Sequence, residues 1–111
     1  MASFEDHVRN ALDSLPPKLA AALENVAVVV EDENPDDPDL FGLYLGTPLP
    51  ERTSFTVGGL PDRIAIYRLA LEDDFGHDPA LLEREIRITV LHELGHYFGI
   101  EEDRIAELGY E

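Results

Sequence analysis

Two histidines, His92 and His96, flank Glu93 in the segment VLHELGHYFGIEED, residues 90–103. On an α-helix this spacing places both imidazoles one turn apart on the same face, where their ring nitrogens can bind one metal ion at about 2.0 to 2.1 Å. Glu93 then lies beside the ion, where its carboxylate reaches a water molecule rather than the metal itself. The spacing therefore predicts a zinc site with a glutamate as its general base.

The residues around this motif are mainly apolar. Along one side of the same predicted helix the sequence places Leu82, Ile86, Val90 and Leu94. Two imidazoles and a carboxylate buried there without partners would cost folding free energy, and a bound metal ion removes that cost. The alternative is that these side chains occur in this order by chance and use local hydrogen bonds.

Gly99 follows the second histidine by three residues and predicts the end of the motif helix. Glycine adopts the left-handed conformation that ends helices at little cost, so the chain can turn back there and bring a further ligand towards the metal. The polar residues that come next are Glu101, Glu102 and Asp103. A carboxylate is therefore the predicted third ligand.

The segment from His92 to Glu102 resembles the zincin metallopeptidases, and within them the metzincin and Asp-zincin pattern H-E-x-x-H-x-x-G-x-x-[H/D]. The short chain, the phrase GLPDRIAIYR before the motif and the GY near the C-terminus are similar to the minimal zincin-like metallopeptidases of bacteria. The resemblance implies a zincin-like fold whose motif helix packs on a short sheet. It also implies that His92 and His96 are zinc ligands and that Glu93 is the general base.

The sequence departs from the family pattern at the third ligand and at the Met-turn. Glu102 occupies the position of the family's Asp or His, and Asp103 follows it. Register favours Glu102 as the third ligand, and residue type favours Asp103 as the alternative. Because the only methionine is Met1, another residue must lie beneath the ligands. Tyr110 is a candidate for contacting a ligand there, or it serves only to anchor the C-terminus.

The function that the resemblance implies is zinc-dependent peptide hydrolysis, with an unidentified peptide or protein as substrate. Zinc would lower the pKa of a water molecule to about 7, and Glu93 would take its proton. We expect the substrate to bind by strand addition to the segment RIAIYRL, residues 63–69. Candidate donors to the oxyanion are Tyr97, His77 and Tyr110. The alternatives are a catalytically weak or inactive zincin-like module acting in metal binding or protein interaction, and hydrolysis of a non-peptide substrate.

The elements that must position the motif follow from the hydrophobic pattern. Helices are predicted at about residues 4–14, after the pair Pro16 and Pro17, at 79–98 and at 101–108. Strands are predicted at residues 26–30, 40–45 and 63–69. We therefore expect an α+β fold in which a short mixed sheet of about three to four strands packs against N-terminal helices and the long motif helix.

Composition limits the remaining function classes. The 111-residue chain fits one domain, residues 1–111, and its lack of cysteine excludes disulfides and thiolate nucleophiles. A net charge of −16 disfavours nucleic acids and anionic membranes as partners. The acidic loop at residues 31–39 does not match the EF-hand spacing. With no signal-like N-terminus and no membrane-spanning stretch, we expect a cytoplasmic monomer or homodimer.

Overall fold

The computed structural model describes residues 3–46, 62–100 and 102–107. Within them the helices are α1 (Phe4–Asp13), α2 (Pro17–Ala22), α3 (Arg68–Phe75), α4 (Pro79–Tyr97) and α5 (Glu102–Glu107). A short 3₁₀ helix spans Leu23–Asn25. The strands are β1 (Val26–Glu31), β2 (Gly42–Leu45) and β3 (Asp62–Tyr67). Helices packed with a mixed sheet confirm the predicted α+β class.

Among the described residues the sheet has three strands in the order β1-β3-β2, so β3 is central. β1 runs parallel to β3, with Val28 opposite Ile64. β2 runs antiparallel to it, with Leu43 opposite Ala65. The β-branched residues of β1 and β3 favour the pleated, half-buried surface of a sheet, and Ile64 and Ala65 are fully buried.

The prediction that residues 63–69 form an edge strand able to receive a peptide is wrong. Residues 63–66 are paired on both sides, with β1 and with β2. The strand also ends at Tyr67, because α3 begins at the next residue. Within the described sheet, the edge strand that contacts the motif helix α4 is β2. An alternating pattern predicts a strand, but the neighbours of that strand depend on the path of the loops.

The hydrophobic core lies between the sheet, α1 and α4. Apolar residues recur at helical spacing on both helices, and the buried ones include Phe4, Val8, Ala11, Leu82, Ile86, Val90 and Leu94. Burial of each large apolar side chain stabilises the fold by about 1.5 to 3 kcal/mol relative to exposure. Because α1 and β3 both pack against α4, the motif helix is held from two sides.

α4 begins at Pro79, as the sequence indicates, and ends at Tyr97, one residue before the predicted end. The side chain of Asp78 accepts hydrogen bonds from two backbone N–H groups of the first turn. At the other end, Gly99 has a φ of 78°. The N–H of Ile100 then donates to the carbonyl of Gly95 at 2.8 Å, which is the hydrogen bond of a Schellman motif. The histidine motif therefore lies in the last turns of the helix, directly before a sharp change in chain direction.

Most predicted elements agree with the structure within a few residues, but α3 was not predicted. Its segment RLALEDDF follows β3 directly, and no side chain caps its first turn. Without a capping residue or a turn-forming residue, the sequence has no local signal for the change from strand to helix.

Among the described residues, no helix combines the length and the apolar composition that crossing a membrane requires.

Candidate metal centre

The last turns of α4 bring His92, Glu93 and His96 together. One ligand atom from each residue lies within 4.8 Å of the other two. The imidazole rings have centroids 5.1 Å apart and an interplanar angle of 67°. Both histidines are half-buried and Glu93 is buried. Helical spacing thus places the three groups next to one another, as expected from the sequence.

Glu93 is 7% exposed, and a polar group lies close to each of its carboxylate oxygens. Oε1 accepts a hydrogen bond of 2.9 Å from the backbone N–H of Tyr44. Oε2 lies 3.7 Å from Nε2 of His92. A buried carboxylate is costly unless it is hydrogen-bonded, and charge-assisted bonds are among the stronger ones. The sheet therefore holds Oε1 of Glu93 by a hydrogen bond, while Oε2 lies near His92.

The alternation of backbone groups along β2 explains why Tyr44 donates to Glu93. The Phe41 carbonyl accepts a hydrogen bond from the N–H of Tyr67 at 2.9 Å, so residues 41, 43 and 45 direct their backbone groups towards β3. Gly42 and Tyr44 consequently direct theirs to the opposite edge. This outer edge of β2 runs beside Glu93.

Gly42 allows β2 to approach α4 closely. A Cβ at this position would lie 2.6 Å from Cγ2 of Thr89 and 3.0 Å from the carbonyl oxygen of Ala65. Both distances are shorter than normal contacts, so a larger residue would push β2 away from the helix. Sequence reasoning missed this role, although a glycine inside a predicted strand is a known signal of close backbone approach.

The side chain of Tyr44 is also held. Its hydroxyl donates to Oδ2 of Asp62 at 2.9 Å, and Asp62 is buried at the start of β3. Its ring makes an edge-to-face contact with Tyr97, with centroids 6.0 Å apart. Such aromatic pairs contribute about 0.5 to 1.5 kcal/mol beyond their buried area. Tyr44 is therefore fixed through its backbone and its side chain together.

Two of the predicted oxyanion donors can be located. Tyr97 is buried, and its ring packs against those of Tyr44 and Phe98. His77 is exposed and precedes the first turn of α4, at the opposite end of the helix from the motif. That separation is on the order of 20 Å for a helix rising 1.5 Å per residue. The prediction of His77 as a donor to the site is therefore wrong.

A pocket of about 170 Å³ opens beside His92 and Glu93. Its other walls come from the start of β2 and from α4, and consist of Leu40, Phe41, Gly42, Glu85 and Thr89. Residues 85, 89, 92 and 96 follow one another at helical spacing and form one stripe on α4. Sequence reasoning missed Glu85 and Thr89, although the periodicity that joins the two histidines extends to both.

The donor groups fit a metal ion with nitrogen and oxygen ligands. Two imidazoles one turn apart and a carboxylate, all partly withdrawn from solvent, are the types of group that bind Zn²⁺. Glu102 is the first residue of α5, and the neighbouring Asp103 is exposed. The side chain of Glu102 and all of Tyr110 lie outside the described residues.

Comparison with known proteins identifies a family. The family model for zincin-like metallopeptidases matches residues 23–110, a range that includes the whole described sheet and the motif helix. None of the curated proteins matches the chain. The family implies a bound metal, usually zinc, and the cluster of His92, Glu93 and His96 is able to bind one. The match covers most of the chain, and the chain therefore belongs to the zincin-like metallopeptidase family.

Proposed function

We propose that the protein is a zinc-dependent metallopeptidase that hydrolyses peptide bonds, with His92 and His96 as zinc ligands and Glu93 as the general base. The position of Glu93 is the observation that carries this proposal. Its Oε1 accepts a 2.9 Å hydrogen bond from the N–H of Tyr44, and its Oε2 lies 3.7 Å from Nε2 of His92. One oxygen is anchored to the sheet while the other lies beside a candidate ligand.

Glu93 moves protons in this mechanism. A bound zinc ion would act as a Lewis acid and lower the pKa of water to about 7. Glu93 accepts the proton of the attacking water at Oε2 and later transfers it to the nitrogen of the leaving amine. Oε1 stays bonded to the N–H of Tyr44, so the carboxylate keeps its orientation through both transfers.

The outer edge of β2 is the proposed binding surface for the peptide backbone. Gly42 and Tyr44 direct their backbone groups to this edge, and Glu93 lies beside it. An extended peptide that adds to the edge at Gly42 gains main-chain hydrogen bonds and brings one of its carbonyl groups near Glu93, while the N–H of Tyr44 stays bonded to Oε1 of Glu93. β2 takes the place of β3 as the proposed peptide-binding strand, because β3 is paired on both sides.

Glu102 is the proposed third ligand, with Asp103 as the alternative. Glu102 opens α5, shortly after the chain changes direction at Gly99. The side chain of Asp103 is exposed, whereas His92 and His96, which would hold the ion, are half-buried. The exposure of Asp103 therefore favours Glu102 as the third ligand. Tyr110 remains a proposal for a group that contacts a ligand from beneath.

Zinc content and peptide cleavage together test the proposal. The purified protein should bind a single zinc ion, measured by elemental analysis after dialysis, and should cleave internally quenched peptides. Glu93→Gln should retain zinc and lose about 10² to 10⁴-fold in kcat, because only the proton acceptor is removed. The matched control is Glu24→Gln, which should retain zinc and activity. Glu24 is exposed and precedes β1, at the other end of the sheet from Gly42.

Other results of these measurements would contradict the proposal or favour one of the alternative functions. Full turnover by Glu93→Gln excludes Glu93 as the base. A folded protein that binds no zinc at neutral pH contradicts the metallopeptidase. Zinc binding without cleavage of any peptide supports the alternative of an inactive zincin-like module, and ester or amide hydrolysis that persists in excess peptide supports a non-peptide substrate.

A further inference from the structure

Glu85 lies in the wall of the pocket, two helical turns before His92 on the same stripe of α4. Thr89, between them, donates its hydroxyl hydrogen to the carbonyl oxygen of Glu85 at 2.8 Å. The polar group of Thr89 is thus bonded within its own helix, and its methyl group faces Gly42. The carboxylate of Glu85 is left as the ionisable group in the pocket wall outside the metal centre.

No hydrogen bond or ion pair engages the half-buried carboxylate of Glu85 within the part of the chain that the structure describes. Two other glutamates on helices are bonded: Glu83 accepts from Asn10, and Glu72 accepts from Arg68. A carboxylate in an apolar wall loses part of its hydration without a compensating partner. An incoming cation would supply that partner.

The dimensions of the pocket suit one side chain. Its volume of about 170 Å³ is below the roughly 300 to 1,000 Å³ typical of sites for whole small molecules. Leu40 and Phe41 form an apolar wall beside the start of β2. A long basic side chain can pack its aliphatic stem against such a wall and keep its charged end at a carboxylate. The pocket therefore fits lysine or arginine better than a short or acidic residue.

The surroundings of the pocket are acidic as well. Residues 31–39, the last residue of β1 and the loop after it, contain six carboxylates and lead directly to Leu40, the first residue of the pocket wall. The chain as a whole carries a net charge of −16. The summed field of these charges attracts cationic ligands and repels anionic ones.

We propose that this pocket binds a lysine or arginine side chain adjacent to the scissile bond, with Glu85 as the residue that determines this specificity. The inference rests on the proposed function, because it assumes that peptides are cleaved at Glu93. It defines the substrate class as peptides with a basic residue next to the cleaved bond.

Peptides that differ only in the residue next to the scissile bond test this specificity. Arginine, norleucine and glutamate are placed on either side of the bond in turn, and the zinc-loaded enzyme should show kcat/KM about tenfold higher for arginine than for norleucine. Glu85→Gln should bring that ratio close to one. Glu85→Arg should reverse it in favour of glutamate, a gain that misfolding cannot produce. The control Glu24→Gln should keep the ratio.

Binding to the zinc-loaded Glu93→Gln protein, followed by fluorescence anisotropy, separates the two proposals. Cleavage without a preference for arginine overturns the role of the pocket and leaves the metallopeptidase intact. If the protein binds the arginine peptide more tightly and adding Glu85→Gln abolishes this preference, the role of the pocket is supported. If wild type then cleaves none of the peptides, the proposed metallopeptidase activity is contradicted. Equal binding of all three peptides together with equal cleavage overturns the specificity.

Discussion

Glu93 and the two histidines beside it are positioned in different ways. His92 and His96 are brought together by their spacing on one helix. The orientation of Glu93 depends instead on a backbone N–H that lies 49 residues earlier in the sequence, at Tyr44. Because that donor belongs to the backbone, replacing the Tyr44 side chain would leave it in place. The orientation of Glu93 therefore depends on the position of β2 more than on the residue type at 44.

The identity of the third ligand can be tested by zinc titration of Glu102→Ala and Asp103→Ala. Glu102→Ala should weaken zinc binding about 100-fold or more, since even loss of a group supporting a ligand costs 10- to 100-fold. Asp103→Ala should bind zinc like wild type, because its side chain is exposed. The opposite result would assign the role to Asp103, and unchanged affinity in both variants would exclude both residues.

At the level of elements, the contact between β2 and α4 forms the site. The contact is close because Gly42 carries no side chain against Thr89. It places the N–H of Tyr44 on Glu93 and makes residues 40–42 a wall of the pocket. The proposed catalytic base and the proposed specificity pocket therefore depend on the same packing of a strand on a helix.

Gly42→Ala should destabilise the protein by about 1 to 3 kcal/mol in urea unfolding, because the added methyl overpacks the contact. Thr89→Ser in the same chain should restore part of the loss. It removes Cγ2, which would lie 2.6 Å from the new Cβ, and retains the hydroxyl that bonds Glu85. The rescue should be incomplete, since the carbonyl of Ala65 would still lie 3.0 Å away.

The single variant Thr89→Ser completes a double-mutant cycle with wild type, Gly42→Ala and the double variant. If the effects of the two substitutions simply add, the close approach of Gly42 to Thr89 does not limit the packing of β2. Peptide cleavage measured on the same variants should fall and recover with stability, because displacement of β2 also displaces the donor to Glu93.

On the scale of the whole molecule, stability should depend on pH through the junction of α1 and α4. Asn10 donates to Oε1 of Glu83 at 3.0 Å, and Nδ1 of His7 lies 3.4 Å from the same oxygen. The hydrogen bond from Asn10, followed by the interaction with His7, holds the pKa of Glu83 below its ordinary value of 4.5. A carboxyl group with a depressed pKa in the folded state contributes stability above its unfolded pKa and loses it as pH falls through the folded value.

Glu83→Gln should therefore lower the free energy of unfolding at pH 7, and the difference from wild type should shrink as pH falls below about 4.5. Urea unfolding at pH 7, 5, 4 and 3 measures this difference. Asn10→Ala removes the largest cause of the lowered pKa of Glu83. The stability of this variant should therefore depend less on pH than that of wild type. A difference between wild type and Glu83→Gln that stays constant down to pH 3 would contradict this account.

Features that depend on nearby residues were predictable from the sequence. The capping box of α1, formed by Ser3 and Asp6, the cap of α4 at Asp78 and the left-handed Gly99 all appear where their residue types indicate. The grouping of His92, Glu93 and His96 follows from the period of one helix. Each of these features rests on bonds or geometry within a few residues, so a short stretch of sequence contains the whole signal.

Features that join distant parts of the chain were decided by the tertiary structure. The pairing of β3 on both sides, the position of β2 at the edge of the described sheet beside Glu93 and the donation from Tyr44 to Glu93 were not predicted. A backbone N–H has no residue type to reveal it, and the order of strands depends on loop paths that hydrophobic alternation does not encode. The amino-acid pattern thus specifies which groups could bind a metal, and the packing of β2 on α4 specifies how Glu93 is held beside the two histidines.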